Sequence, residues 1–264
     1  KIKAKIVVDC SGTHAVLGSK FIESPLKQKV VGIERIYKRV LDSDKDNKVL
    51  EMFIGDPFTG GYGWAAPIGE KINIGCGWFV KNKKSQSLKE TLEKLISSQF
   101  FNAESLLDLE EEKVGILSTN LLRKFHYKNL ICIGDSAGQA NPIAGEGMRF
   151  IINSANLAAG AIKQSIEKND LNLLSNYTTK WQKKYSKIYS WGKFAQRIVK
   201  KQDLSRAIPQ KLISSLFRNN NTKELQDFFR GELQASTVAK LGLNAGLGLL
   251  RNKETDLEIE ITEK

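Results

Sequence analysis

The stretch from Ile131 to Arg149, ICIGDSAGQANPIAGEGMR, holds the residues best suited to chemistry. An apolar run ends in Gly134-Asp135. Small residues follow, then Pro142, and Gly145-Glu146-Gly147 open a long segment that starts at Met148. Small residues let a backbone approach a ligand closely. A helix start presents unpaired N–H groups and a partial positive charge. Asp135 stands at the carboxyl end of a predicted strand, where open α/β sheets bind cofactors, and can accept hydrogen bonds from ligand hydroxyls. An anionic, polyhydroxylated cofactor fits this pattern. The competing reading is a glycine-rich strand-to-helix connection in which Asp135 caps the helix.

A second set lies upstream. Tyr62, Trp64 and Pro67 are followed, after seven residues, by Gly75-Cys76-Gly77. Two large aromatics with glycines opposite make a wall and a space together. A long apolar chain needs such a slot, since ligand pockets are mostly apolar. The alternative is a core beside a glycine-bulged hairpin. A third stretch, Lys5 to Gly18, reads as a short buried strand running into the turn Ser11-Gly12-Thr13-His14.

These residues need elements to hold them. Lys5–Cys10 and Asn129–Ile133 are predicted as short buried strands. From about Lys29 to Val80 the pattern is that of an antiparallel sheet: VVGIERIYKRV alternates, and VLEMFIGD and KINIGCGWFV are apolar runs, with Gly and Pro clustered in DPFTGGYGWAAPIGE between them. Ser87–Phe101 has helical spacing at Leu88, Leu92, Leu95 and Ile96, and Glu111–Leu122 reads as a strand. Met148–Ile166 is the clearest helix, with Met148, Ile151, Ile152, Ala155, Ala159, Ile162 and Ile166 on one stripe. Beyond Leu171 the chain is predicted mostly helical to about Leu250, with breaks at Pro209 and Gly231; Leu257–Lys264 is an acidic and apolar tail.

Leu171 to Gln202 contains no Asp or Glu. Lys180, Lys183, Lys184, Lys187, Lys193, Arg197, Lys200 and Lys201 alternate there with Trp181, Tyr185, Tyr189, Trp191 and Phe194. Such a helix suits an anionic membrane surface. The alternative is a solvated helix whose aromatics pack on the core. Over the whole chain, 41 Lys+Arg against 29 Asp+Glu give +12, which favours acidic partners. The 264 residues suffice for one large or two ordinary domains. Cys10, Cys76 and Cys132 are far apart and lie in apolar runs, as small buried hydrophobes do. With His14 and His126 the only histidines, a structural zinc site and a His-based triad are poorly supported, and no metal site is expected. No apolar run reaches the roughly 18 residues needed to span a bilayer. The chain starts inside a strand without Met and is expected to be truncated.

Gly134, Asp135 and Pro142 match the fixed positions of the ribityl-binding G-D-x6-P motif, and the segment resembles that of the p-hydroxybenzoate hydroxylase superfamily of flavoproteins. The resemblance implies that Asp135 binds the ribityl hydroxyls of FAD. The backbone at Gly147 and Met148, beyond Gly145, would face the ring system or its phosphates. Asp9 and Gly12 look like part of the superfamily's second motif, with Ala15 where a serine is usual. Tyr62–Gly77 resembles the Y-x-W-x-F-P-x7/8-G-x-G signature of geranylgeranyl reductases, with Ala66 in the Phe position. That resemblance implies an α/β fold: the C-terminal part of a flavoprotein FAD domain (1–25 and 115–170), an inserted antiparallel β substrate domain (26–114) and a helical C-terminal region (171–264). The G-x-G-x-x-G fingerprint of such domains is absent from this chain. The implied activity is FAD-dependent reduction of carbon–carbon double bonds in geranylgeranyl chains, the substrate an archaeal phospholipid precursor. The implied partners are a polyprenyl lipid, an anionic membrane surface and an electron donor, reduced nicotinamide or ferredoxin, with no nucleic acid; the implied place is the cytoplasm, peripheral to the membrane. A proton donor is not identified; Tyr62 and water are equal candidates. A flavin-dependent monooxygenase or halogenase, and a non-catalytic basic membrane or nucleic-acid binding module, are the rival readings.

Overall fold

The computed structural model describes residues 3–22, 29–40, 50–53, 57–58, 61–78, 87–98, 106–142, 144–200, 227 and 260–261, with the backbone alone for 194–200 and 260–261. The helices expected beyond residue 201, with their breaks at Pro209 and Gly231, lie outside the described residues. The chain folds as a mixed α/β protein in two compact units. The first comprises 1–30, 116–197 and 227–232; the second comprises 31–115, 198–226 and 233–264.

In the first unit, β1 (Val7–Asp9) pairs in parallel with β8 (Leu130–Cys132), which pairs antiparallel with β7 (His126–Tyr127). Val7 faces Leu130 and Asp9 faces Cys132 in register, across more than a hundred residues of intervening chain. The short helix α1 (Gly18–Phe21) follows β1. Two longer helices complete the unit, α3 (Met148–Glu167) and α4 (Ser175–Lys200). α3 occurs where it was expected, but it buries a different face. Met148, Ile151, Ile152 and Ile166 of the expected stripe are exposed, and the buried residues are Phe150, Ser154, Ala158, Ala161 and Ser165. The reason lies in α4, which buries Tyr177, Trp181, Tyr185 and Tyr189 in the same core. Rings of that volume fit against small side chains, so the face with the least apolar volume is the one that packs. Trp181 meets Tyr185 and Tyr189 with centroids 5.0 and 5.1 Å away, and its Nε1–H donates to Ser154 Oγ at 2.9 Å. The aromatics that suggested a membrane-facing helix therefore include three turned into the core, while Lys180, Lys183, Lys184, Lys187 and Lys193 remain exposed.

The second unit is a sheet with strand order β6-β2-β5-β4-β3-β9. Its strands are β2 (Lys29–Arg39), β3 (Leu50–Phe53), β4 (Gly61–Ile68), β5 (Lys71–Trp78), β6 (Leu106–Ser118) and β9 (Glu260–Ile261). The Gly- and Pro-rich stretch expected between strands instead contains β4, a full strand in register with β5 from Gly61↔Trp78 to Ile68↔Lys71. Glycine weakens a strand only when nothing fills its place, and here neighbouring rings do. β6 begins at Leu106, earlier than Glu111, and the tail contributes β9 against β3. One face of this sheet carries α2 (Leu88–Ile96), shorter than the expected Ser87–Phe101, and started by a capping box between Ser87 and Glu90. Leu92 and Leu95 of α2 pack on Ile33, Ala65, Ile74 and Cys76. Arg35, on the same face, is 7% exposed and is held by Glu93 and Glu112 at 2.7 Å each. Cys76 and Cys132 are buried as expected; Cys10 is exposed, because β1 ends at Asp9 and the chain turns outward.

Candidate functional site

In the first unit, β8 ends and Gly134–Ala137 forms a single 3-10 turn. Gly134 has φ +70° and Gly138 φ +68°, values open to glycine, and any Cβ at Gly138 would overlap the Asn120 carbonyl. Three buried polar groups fix this turn. The Ser136 hydroxyl donates to the Asp9 carbonyl at 2.7 Å, tying the loop to β1. Gln139 Oε1 accepts from the Gly134 N–H at 2.8 Å, and its Nε2 donates to the Tyr177 hydroxyl at 2.9 Å, tying the loop to α4. Pro142 is seated on α4 at Gly192, where a Cβ would overlap the proline ring.

Asp135 is half-buried and its carboxylate has no hydrogen-bond partner among the described residues. Burial pushes its carboxyl above the ordinary value. The Asn141 N–H donates to the Glu146 carbonyl at 2.7 Å, and the Gly145 N–H to the Asn141 carbonyl at 2.9 Å, with Gly145 at φ +67°. α3 then starts at Met148 with Gly147 as its N-cap, which offers no side-chain cap. Glu146 Oε1 accepts from the Arg149 N–H at 2.7 Å, which satisfies one helix-start donor; those of Gly147 and Met148 have no partner among the described residues. Gly147 lies beside Asp135: a Cβ there would stand 3.8 Å from Asp135 Oδ1. Gly134, Asp135, Pro142, Gly145, Gly147 and Met148 thus fall in one continuous loop-to-helix structure. Asp135 does not cap α3; Glu146 does.

Tyr189 escaped the sequence reading as part of this region. Its hydroxyl is buried without a partner among the described residues. Burial, and then the charges of Glu146 and Asp135, push it well above the ordinary tyrosine value, so it stays protonated and near both acids. Asp9, by contrast, is satisfied. Burial alone would raise its carboxyl, but the Ser11 hydroxyl and the N–H groups of Gly18, Ser11 and Leu17 outweigh burial and hold it below 3.8. Its role is to knot β1 to the start of α1.

In the second unit, alternation puts Tyr62, Trp64 and Ala66 on the sheet face away from α2, with Gly75 and Gly77 opposite Trp64 and Tyr62. The two rings lie 5.8 Å apart. The Trp64 indole rests on a floor of glycines: a Cβ at Gly75 would come within 2.5 Å of Trp64 Cε2, and one at Gly77 or Gly32 would touch the ring edge at 3.8 Å. Pro67 does not join this face. It pairs with Ile72, which packs toward the core under α2. Burial pushes the Tyr62 hydroxyl up to about 12, so it is protonated at neutral pH. Asn73 and Glu34 share the Trp64 face and were not singled out from sequence; a lone Asn in the alternation Ile-Asn-Ile-Gly was the available signal. Among the described residues, no group of three or more metal-ligating side chains occurs, and no helix is long and apolar enough to cross a membrane.

Residues 33–114 match the family model of the geranylgeranyl reductase catalytic domain. The chain is 26% identical over 250 residues to a digeranylgeranylglycerophospholipid reductase of Methanococcus aeolicus, across 92% of this chain and 59% of that protein. It is 23% identical over 247 residues to the protein of the same name in Methanococcus vannielii, with the same shares. The chain therefore spans about 59% of the length of these relatives. Among solved structures, its fold resembles a geranylgeranyl bacteriochlorophyll reductase-like protein of Thermoplasma acidophilum (22% identity, TM-score 0.63, 75% of this chain and 51% of that one). It also resembles a flavin-dependent brominase (17% identity, TM-score 0.55, 94% and 63%). These two likenesses describe the fold. The domain match lies over the aromatic, glycine-floored sheet, and relatives align along almost the whole chain, so this protein is similar to the geranylgeranyl reductases.

Proposed function

We propose that this chain is part of an FAD-dependent enzyme that reduces carbon–carbon double bonds of geranylgeranyl chains, its substrate a digeranylgeranylglyceryl phospholipid. The observation that carries the reading is the Trp64 ring laid on Gly75, with Tyr62 beside it, inside the residues that match the reductase domain. That face suits an apolar chain: aromatic, half-buried and without a side chain on its floor. The relatives' names support the lipid class.

The residues of the first unit fit a flavin. Asp135 offers a carboxylate that lacks donors among the described residues, and the sugar-alcohol arm of FAD has hydroxyls to give. Gly134, Gly145 and Gly147 allow close approach, and the N–H groups of Gly147 and Met148, at the start of α3, would favour the negative charge of a reduced flavin bound beside them. Pro142, seated on Gly192, keeps the loop in that form. When bound, reduced flavin would supply a hydride to one carbon of the isolated alkene, and a proton from water or Tyr62 would complete saturation at the other. The chain's own task is then to hold the alkene, to exclude water and to tolerate cation-like charge on carbon. Tyr62 and Trp64 serve the first two, and aromatic faces serve the third. Reduced nicotinamide or ferredoxin is the proposed electron source, and the exposed lysines of α4 the proposed contact with an anionic membrane surface.

The test uses the full-length protein. Purified with flavin, reduced anaerobically and given a digeranylgeranyl phospholipid, it should yield products heavier by two hydrogens per double bond. Absence of that gain, or turnover that requires oxygen, would sink the proposal; the latter would point to hydroxylation or halogenation.

A further inference from the structure

We infer that Asn73 and Glu34 are positioning residues for the lipid face, because they form a hydrogen-bonded chain that fixes the Trp64 indole flat on the glycine floor. The inference rests on the reductase reading above. Trp64 Nε1–H donates to Asn73 Oδ1 at 3.0 Å, and Asn73 Nδ2 donates to Glu34 Oε2 at 3.0 Å. The polarity of the chain has one solution. An indole N–H can only donate, so the amide must turn its oxygen to Trp64 and its NH2 outward, and a carboxylate can only accept.

The sheet register builds this arrangement. Trp64 pairs with Gly75, Gly75 with Glu34, Asn73 with Ala66 and with Ile36. Three strands thus contribute to one face: the ring from β4, the amide from β5, the carboxylate from β2. The small Ala66 beside Asn73 leaves the amide room to reach along the strand to Trp64, and Gly75 leaves the ring room to lie down. Glycine alone permits the flat ring but does not hold it. A Trp side chain has two rotatable bonds, and without a polar anchor the ring over a bare glycine floor can tilt into the slot it should line. The donated N–H removes that freedom. A carboxylate at the end of the chain also polarises the indole, which strengthens its face toward positive charge.

The experiment uses the full-length holoenzyme with tryptophan labelled by nitrogen-15. The Trp64 indole N–H signal is assigned by its loss in Trp64→Phe. Asn73→Leu should raise the hydrogen-exchange rate of that N–H and lower kcat for geranylgeranyl reduction by about tenfold with KM little changed, with partly reduced chains accumulating, because a misplaced wall spoils the reactive geometry more than binding. Asn73→Asp keeps an acceptor for the indole but loses the donor to Glu34 and sets a carboxylate against it, so it should shift both readouts in the same direction to a smaller degree. Glu34→Gln alone should keep the exchange protection of Trp64, because its amide oxygen still accepts, and should lower kcat less than Asn73→Leu does, through loss of the carboxylate charge. The double variant Asn73→Asp/Glu34→Gln should recover both exchange protection and kcat, since the Gln amide now donates to the Asp. A purely space-filling role for Asn73 would not produce that recovery. Unchanged Trp64 exchange in Asn73→Leu would overturn the inference, as would a freed indole with unaltered turnover and product pattern. Should the wild type fail to reduce geranylgeranyl lipids while the indole responds as described, the reductase reading would fall and the anchoring of Trp64 would stand.

Discussion

Two aspartates at the ends of neighbouring parallel strands have opposite fates. Asp9 is saturated by donors and its carboxyl lies below the ordinary value; Asp135 lacks donors among the described residues and lies above it. For Asp9 the folded value is depressed below 3.8, so its contribution to stability is fully present above the unfolded value and fades as pH falls through the folded one. Asp9→Asn should therefore destabilise the first unit by about 3 kcal/mol at pH 7, with the gap to wild type closing below pH ~4; urea titrations at several pH values check it. Asp135 has the reverse sign. Its folded value is raised, so the bare carboxylate costs stability above that value, and donors from a ligand would remove the cost. Asp135→Ala should lose most of the flavin, at least tenfold in affinity by the loss of charge-assisted hydrogen bonds, and wild-type affinity should weaken as Asp135 becomes protonated. Flavin content and fluorescence titration across pH measure both. Normal flavin content in Asp135→Ala would remove Asp135 from the site.

At the scale of elements, glycines decide where large groups sit. Gly75→Ala puts a methyl within 2.5 Å of the Trp64 ring and 2.8 Å of the Ile33 carbonyl, so the ring must lift. The expected result is loss of lipid turnover with flavin content unchanged. Gly192→Ala strikes Pro142, a change on α4 felt in the loop proposed to hold the flavin; it should lower flavin affinity while leaving the second unit folded. The α3–α4 packing shows why apolar periodicity misleads. Ser154, Ala158 and Ala161 are weak apolar signals, yet they are the face that receives Trp181. Trp181→Ala should cost about 3–5 kcal/mol in the first unit, measurable by thermal or urea unfolding.

For the whole molecule, net charge of +12 and the exposed lysines of α4 bear on how it would meet the proposed lipid substrate. With Trp181, Tyr185 and Tyr189 in the core, attachment through α4 would be electrostatic rather than by insertion. Co-sedimentation with anionic vesicles should fall steeply as salt rises toward 1 M, where screening shortens to about 3 Å, and should weaken when Lys183 and Lys187 become Glu. Binding indifferent to salt would contradict this. The chain leaves the first unit after β1 and α1, forms strands β2 to β5 of the second, and returns to pair β8 with β1, so the loop proposed for the cofactor and the face proposed for the lipid are encoded in separate stretches.

The linear chain displays the motifs proposed to bear chemistry: G-D-x6-P with its glycine-edged helix start, and the aromatics spaced from Gly75 and Gly77. These are legible because close backbone approach and strand alternation are local demands, written in neighbouring residues. The chain also settled that most of 29–78 is antiparallel sheet and that 148–166 is helical. What tertiary structure alone decided are pairings between distant residues: which face of α3 is buried, that Glu146 rather than Asp135 serves the helix start, that Pro142 rests on Gly192, that Pro67 turns from the aromatic face, and that Glu34 and Asn73 hold Trp64. Each depends on the volume or hydrogen-bond polarity of a partner from another strand or helix, and no local pattern carries that information.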